Sequence, residues 1–191
     1  ILNAPLNALE GVNAMKLVKC LVAVLFVLPS CLFAAETALT EEMKANLAPD
    51  IETIKSWVKE PVILNAVRNQ NKQKLSLDAI KADDDAWKKI QKGSKVPNPQ
   101  MNAMLKKPAS KWLRKKIKRS KGRYVEAFLC DNQGANVALN KLTSDYWQGD
   151  ESKWAKSFAD GSGKVIFGEP EYDESSESMQ VQVSVPVMDE G

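Results

Sequence analysis

The chain has 191 residues, 44% hydrophobic and 27% charged, a length and balance that allow a real core and exclude a disordered or low-complexity polypeptide. Net charge is +3, yet residues 106–123 carry ten basic side chains and no acid, whereas residues 124–191 carry thirteen acids against four lysines. Histidine is absent, which removes the commonest general base and metal ligand and excludes Ser-His and Cys-His nucleophiles.

Residues 1–14 precede Met15 and are set outside the fold as upstream or non-native sequence. From Met15 the chain reads MKLVKCLVAVLFVLPSCLFAAE. Lys16 and Lys19 open it, residues 21–28 form an apolar run, Pro29 and Ser30 break that run, and Ala34 and Ala35 offer small residues for cleavage. This predicts a signal peptide over residues 15–35 and one exported, periplasmic domain over residues 36–191. A spanning helix needs about 20 apolar residues, so a membrane-anchored form is the lesser alternative, as is a lipoprotein attached through Cys31. Removal of the leader leaves Cys130 alone, a buried and inert thiol with no disulfide partner.

In the mature chain Thr40 is placed to cap a helix whose first turn holds Glu41 and Glu42. Leu39, Met43, Leu47, Ile51, Ile54 and Val58 then recur at helical spacing, and Pro49 and Pro61 predict a bent helical region over residues 40–70 that restarts after the second proline. Ser76 begins a second helix with Leu77, Ile80, Trp87 and Ile90 on one face, Asp83, Asp84 and Asp85 on its solvated side, and Gly93 as a stop. Helical turns resume around Met101, Met104 and Leu105, and again after Pro108, where Trp112, Leu113 and Ile117 are the large apolar residues of the basic segment. That segment lacks interleaved stacking aromatics, so nucleic-acid binding is not expected of it.

Residues 124–154 hold the stretch around which the domain is organised. An alternating strand reaches Cys130, Asp131, Asn132, Gln133 and Gly134 make a hairpin turn, and a second strand runs from Ala135 to Leu139. Thr143, Ser144, Asp145, Tyr146, Trp147, Gln148 and Asp150 then set hydrogen-bonding groups beside two large rings, a mixture that suits a small polar ligand. A short helix over residues 151–159 follows, then an antiparallel strand pair near residues 164–172 and 178–187. The last strand alternates Met179, Val181, Val183, Val185 and Val187 with Gln180, Gln182, Ser184 and Pro186, presenting one apolar and one polar face. Such a strand needs a partner on each side, which predicts that a final strand is missing and the domain is truncated at its C-terminus. Gly161 to Lys164 fails the spacing of a phosphate loop, residues 173–177 lack the glycine of a calcium loop, and no oriented general base is visible, so an enzyme is not expected.

Through VEAFLCDNQGANVA at residues 125–138, TSDYWQGDE at residues 143–151 and VSVPV at residues 183–187, the domain resembles the periplasmic sensor domains of the Cache or PDC type, PAS-like extracytoplasmic modules of bacterial receptors. The resemblance extends back through the N-terminal helical region. It implies an α+β Cache fold in which long helical structure packs on a PAS-like antiparallel sheet, with a pocket between sheet and loop. It also implies a non-catalytic, cofactor-free module for signal transduction or chemotaxis that binds a small molecule and serves a membrane-embedded receptor or kinase. Carried over by position, Tyr146, Trp147, Asp150 and Trp154 would line the pocket, with Asp145 as a polar contact. Amino-acid-binding members carry an arginine close to the motif tryptophan; here Ser152 and Lys153 precede Trp154, which argues against that ligand class. The alternative is a cell-envelope interaction protein that uses the basic helix face of residues 106–123 against anionic lipid or an acidic partner.

Overall fold

The computed structural model describes residues 2–5, 39–93, 99–173 and 178–189. The predicted signal peptide lies outside the described residues, as do residues 94–98 and the turn at 174–177. The architecture is mixed α+β. Five helical segments precede most of the sheet: α1 (Glu41–Val58), α2 (Pro61–Asn71), α3 (Leu77–Gly93), α4 (Pro99–Lys106) and α5 (Pro108–Arg119). The strands are β1 (Leu2–Pro5), β2 (Glu126–Cys130), β3 (Asn136–Leu139), β4 (Ile166–Asp173) and β5 (Ser178–Ser184), with α6 (Ser152–Phe158) between β3 and β4.

Thr40 caps α1 as its position predicts, accepting the Met43 N–H at 3.2 Å. Pro49 lies within α1 and does not end it, while Pro61 opens α2 at a first turn, where its missing N–H costs no helix bond. Buried Leu47, Ile54 and Trp57 of α1, Ile63 of α2, and Ala109 and Leu113 of α5 pack on Ala127, Leu129, Val137, Val181 and Val183 of the sheet. A second cluster joins Ile80 and Trp87 of α3 and Met101 and Met104 of α4 to Phe128, Leu139 and Tyr146. Leu77, expected on the inner face of α3, is exposed at its first turn.

The strands form one antiparallel sheet in the order β3-β2-β1-β5-β4. Of residues 1–14, set outside the fold on sequence, the structure describes Leu2–Pro5, which occupies the centre of the sheet, opposite Gln180 to Val183 on β5 and Glu126 and Ala127 on β2. The sequence hides this because four residues holding an asparagine and a proline, both depleted in strands, are too few to establish a period. β5 pairs with β4 and β1, so it has a neighbour on each side, and it ends at Ser184 rather than at Val187. Val181 and Val183 are fully buried beneath the helices and Gln182 on the opposite side is half-buried, but Met179 is exposed and Gln180 and Ser184 are buried, so the alternation read from the sequence describes only the middle of the strand.

The basic segment is less solvated than its composition suggests. Lys107 donates to the Val137 carbonyl at 3.2 Å, and burial lowers its pKa from the ordinary lysine range. Arg114 donates to the Leu105 carbonyl at 2.7 Å. Arg123 forms an ion pair with buried Asp50 of α1, which also accepts the Tyr124 hydroxyl at 2.8 Å. Lys111, Lys115, Lys118, Arg119 and Lys121 remain exposed.

Candidate functional site

The loop between β3 and α6 is built on a hairpin whose turn leaves no room for side chains. Asp131 accepts the Gln133 and Ala135 N–H groups, each at 2.9 Å, and Gly134 adopts φ +85°. A Cβ on Gly134 would stand 2.4 Å from the Cα of Gly149, and one on Gly149 would stand 2.3 Å from the Trp147 indole nitrogen. This contact of two glycines brings the returning loop onto the turn, where Gln148 N–H donates to the Gly134 carbonyl at 2.8 Å and Trp147 Nε1 to the Gln133 carbonyl at 2.7 Å.

Asp84 of α3 holds the loop from the other side. It is 3% exposed, accepts the backbone N–H of Tyr146 at 2.8 Å and of Trp147 at 3.0 Å, and pairs with Lys88 at 2.5 Å. The expectation that all three adjacent acids are solvated thus fails at the middle one, which points inward one turn before Trp87. The Asn136 amide adds to the same network, donating to Thr143 Oγ1 and to the Asp145 carbonyl, while the Trp87 and Gln91 side chains donate to the Thr143 carbonyl.

Two cavities flank this scaffold. The larger, about 660 Å³, lies on the sheet face opposite α1, α2 and α5. Glu126, Phe128, Gln180 and Gln182 supply its floor, Thr143, Asp145 and Gln148 one wall, Lys153 and Lys156 of α6 another, and Glu169 and Glu171 of β4 the far rim. Within it, Asp145 Oδ1 accepts the Gln148 amide at 2.7 Å and the Ser144 hydroxyl at 2.8 Å, and Gln148 is 2% exposed, so this polar pair is held rigidly. Lys153 lies 5.7 Å from the Phe128 ring centroid. The smaller cavity, about 230 Å³, is mainly apolar and lies between β2 and the residues that follow β5.

The structure separates the five predicted site residues. Asp145 lines the large polar cavity and Trp154 the small apolar one, where it stacks on Phe158 at 4.9 Å. Tyr146 and Trp147, expected to form a pocket wall, line neither of these two cavities, and their backbone N–H groups are held by Asp84 of α3. Tyr146 is 4% exposed, lies 5.9 Å from Trp87 ring to ring and receives Gln70 at its hydroxyl, and burial pushes its pKa up to about 12. Trp147 sits beneath Lys81 at 5.0 Å. Asp150 is exposed and lines neither cavity. The residues missed are Glu126, Gln180, Gln182, Lys153, Lys156 and Glu171; the polar face of β5 was the one visible signal, and it needed a second element to become a cavity.

Among the described residues no group of three or more metal-ligating side chains is present, and no helix is long and apolar enough to cross a membrane. Burial pushes the Cys130 thiol up to about 12, which disfavours its thiolate. Comparison with protein-family models, with curated proteins and with solved structures finds no match to this chain.

Proposed function

We propose that the chain is an extracytoplasmic small-molecule-binding module of the Cache or PDC kind, non-catalytic, whose ligand occupies the polar cavity beside Asp145. The observation that carries this reading is the cavity itself: about 660 Å³ on a sheet face, with a rigid Asp145–Gln148 pair on one wall and lysines and carboxylates around it. A site of that size with a few fixed polar groups is suited to a small polar molecule. An antiparallel sheet with α1, α2 and α5 packed on one face and a pocket between its other face and a loop is in keeping with the arrangement that the sequence resemblance implies. Binding there would report to a membrane-embedded receptor or kinase in the periplasm.

Thermal-shift titration against a panel of polar metabolites tests the reading. A saturable rise in Tm is expected with at least one member and should disappear in Gln182→Phe, which fills the floor of the cavity from a half-buried position while its own fold, followed by far-UV circular dichroism, persists. No response across the panel, or an unchanged response in Gln182→Phe, would reject the assignment.

A second reading rests on α5. Lys111, Lys115, Lys118 and Arg119 are exposed at spacings that share one helix face, and with Lys121 they form a cationic surface suited to anionic lipid. Sedimentation with phosphatidylglycerol vesicles should then fall steeply as salt rises. Sedimentation that is absent or independent of salt would dispose of this reading.

A further inference from the structure

The walls of the polar cavity carry more negative than positive charge. Among the described residues, Glu126, Asp145, Glu151, Glu169 and Glu171 line it against Lys141, Lys153 and Lys156, a surplus of two carboxylates. Glu126 is matched by Lys141 at 4.0 Å. No ion pair among the described residues engages Asp145, Glu151, Glu169 or Glu171. The two lysines of α6 stand apart from them: Lys153 lies over the Phe128 ring at 5.7 Å, and Lys156 is exposed. An anion entering the cavity would meet the surplus, a zwitterion would leave it uncompensated, and a dication would cancel it.

The carboxylates are spread along the cavity. Asp145 belongs to the loop after β3, whereas Glu169 and Glu171 belong to β4, and these two strands stand at opposite edges of the sheet. Glu126 and Glu171, on strands three places apart, are separated by about 14 Å at ordinary strand spacing. Among the described residues no three carboxylates converge on a point where one metal ion could sit, so the compensating charge has to be divided as well. Asp145 is prepared for one half of it. Gln148 and Ser144 both donate to Oδ1, which fixes the carboxylate and leaves Oδ2 with no donor among the described residues. Ile166, Phe167 and Tyr172 of β4 line the same cavity, with Tyr172 60% exposed, and give apolar surface for a hydrocarbon chain between two charges.

We propose that the ligand of the polar cavity is a linear aliphatic diamine, a dication with one ammonium group held by Asp145 and the other by Glu169 and Glu171. The inference rests on the reading of this cavity as the ligand site and adds the chemical class of its occupant. The methylene chain lies against the aromatic and aliphatic residues of β4, and the carboxamides of Gln180 and Gln182 on the floor lend dipoles without adding charge. Two separated ends, each with its own carboxylate, make the site sensitive to the length of the ligand as well as to its charge.

Isothermal titration calorimetry of the full chain at low ionic strength tests this with 1,4-diaminobutane, 1,6-diaminohexane and 1,8-diaminooctane as probes. Saturable binding is expected, tightest at one chain length, with the monoamine of that length about tenfold weaker and the dicarboxylate of that length silent. Glu171 is exposed, so Glu171→Gln should fold normally and weaken the best diamine about tenfold. Glu42→Gln, which removes the same charge from the exposed start of α1, should leave the affinity unchanged. Equal weakening by both variants, no weakening by Glu171→Gln, or an affinity indifferent to chain length would overturn the proposal. Tighter binding of calcium than of any diamine would overturn it too. If a dicarboxylate or a zwitterion binds in place of the diamines and Gln182→Phe abolishes that binding, the diamine assignment falls while the cavity stands as the ligand site. If diamines bind equally well to Gln182→Phe, both readings fall together.

Discussion

Asp84 accepts two backbone donors from a loop 62 and 63 residues away in sequence, and its neighbour Asp85 faces solvent. Removing its carboxylate leaves the N–H groups of Tyr146 and Trp147 without their acceptor at a buried site. Asp84→Ala should therefore cost about 2–3 kcal/mol, read as a lowered urea midpoint, with Asp84→Asn retaining most of the stability. A loss of less than about 1 kcal/mol would mean that water replaces the carboxylate. Tyr146 and Tyr124 make a second prediction at this scale. Burial raises both hydroxyls to about 12, from about 10 in an unfolded chain. Above the unfolded value the unfolded state loses these protons while the folded state keeps them, so the stability they contribute is complete below about pH 10 and drains away toward pH 12. Melting curves across that window should show a steep alkaline decline that Tyr146→Phe makes shallower. A decline of the same slope in the variant would refute the assignment to Tyr146.

At the scale of elements, α1 is the clearest case of a pattern outlasting a local penalty. Leu47, Ile54 and Trp57 are all buried, and their burial against the sheet holds the helix through Pro49, which lacks the N–H for an intrahelical bond. Proline inside a helix costs about 3 kcal/mol relative to alanine, offset by roughly 1 kcal/mol through a stiffer unfolded chain. Pro49→Ala should thus stabilise the protein by about 1–2 kcal/mol in urea denaturation; a destabilised variant would show that the proline shapes the packing of α1. The helices were legible because apolar spacing, Thr40, Ser76 and Pro61 agree with one another and act locally. The same holds for the β2–β3 hairpin, where Asp131 and Gly134 make the turn their residue types suggest. The burial of Asp84 was not legible, since a lone acid between two others reads as surface until the partner loop arrives.

At the scale of the molecule, the candidate site moved when the layers came together. Rings and polar groups adjacent in sequence suggested a single ligand-binding loop at residues 145–154. The folded loop divides them, sending Tyr146 and Trp147 to α3, Asp145 to the polar cavity and Trp154 to the apolar one. Alternation along a loop has no fixed period, so neighbours in sequence need not share a face there. The five-stranded order likewise depends on a pairing between residues 2–5 and strands more than 120 positions away, which local propensity does not encode. What the amino-acid sequence determined alone was the helices, the strands other than β1, most of the apolar face of each helix and the hairpin turn, because these follow from backbone preference and short-range periodicity. What only the tertiary structure decided was which polar residues border a void, since a cavity is a property of the space between elements and exists only once they are packed.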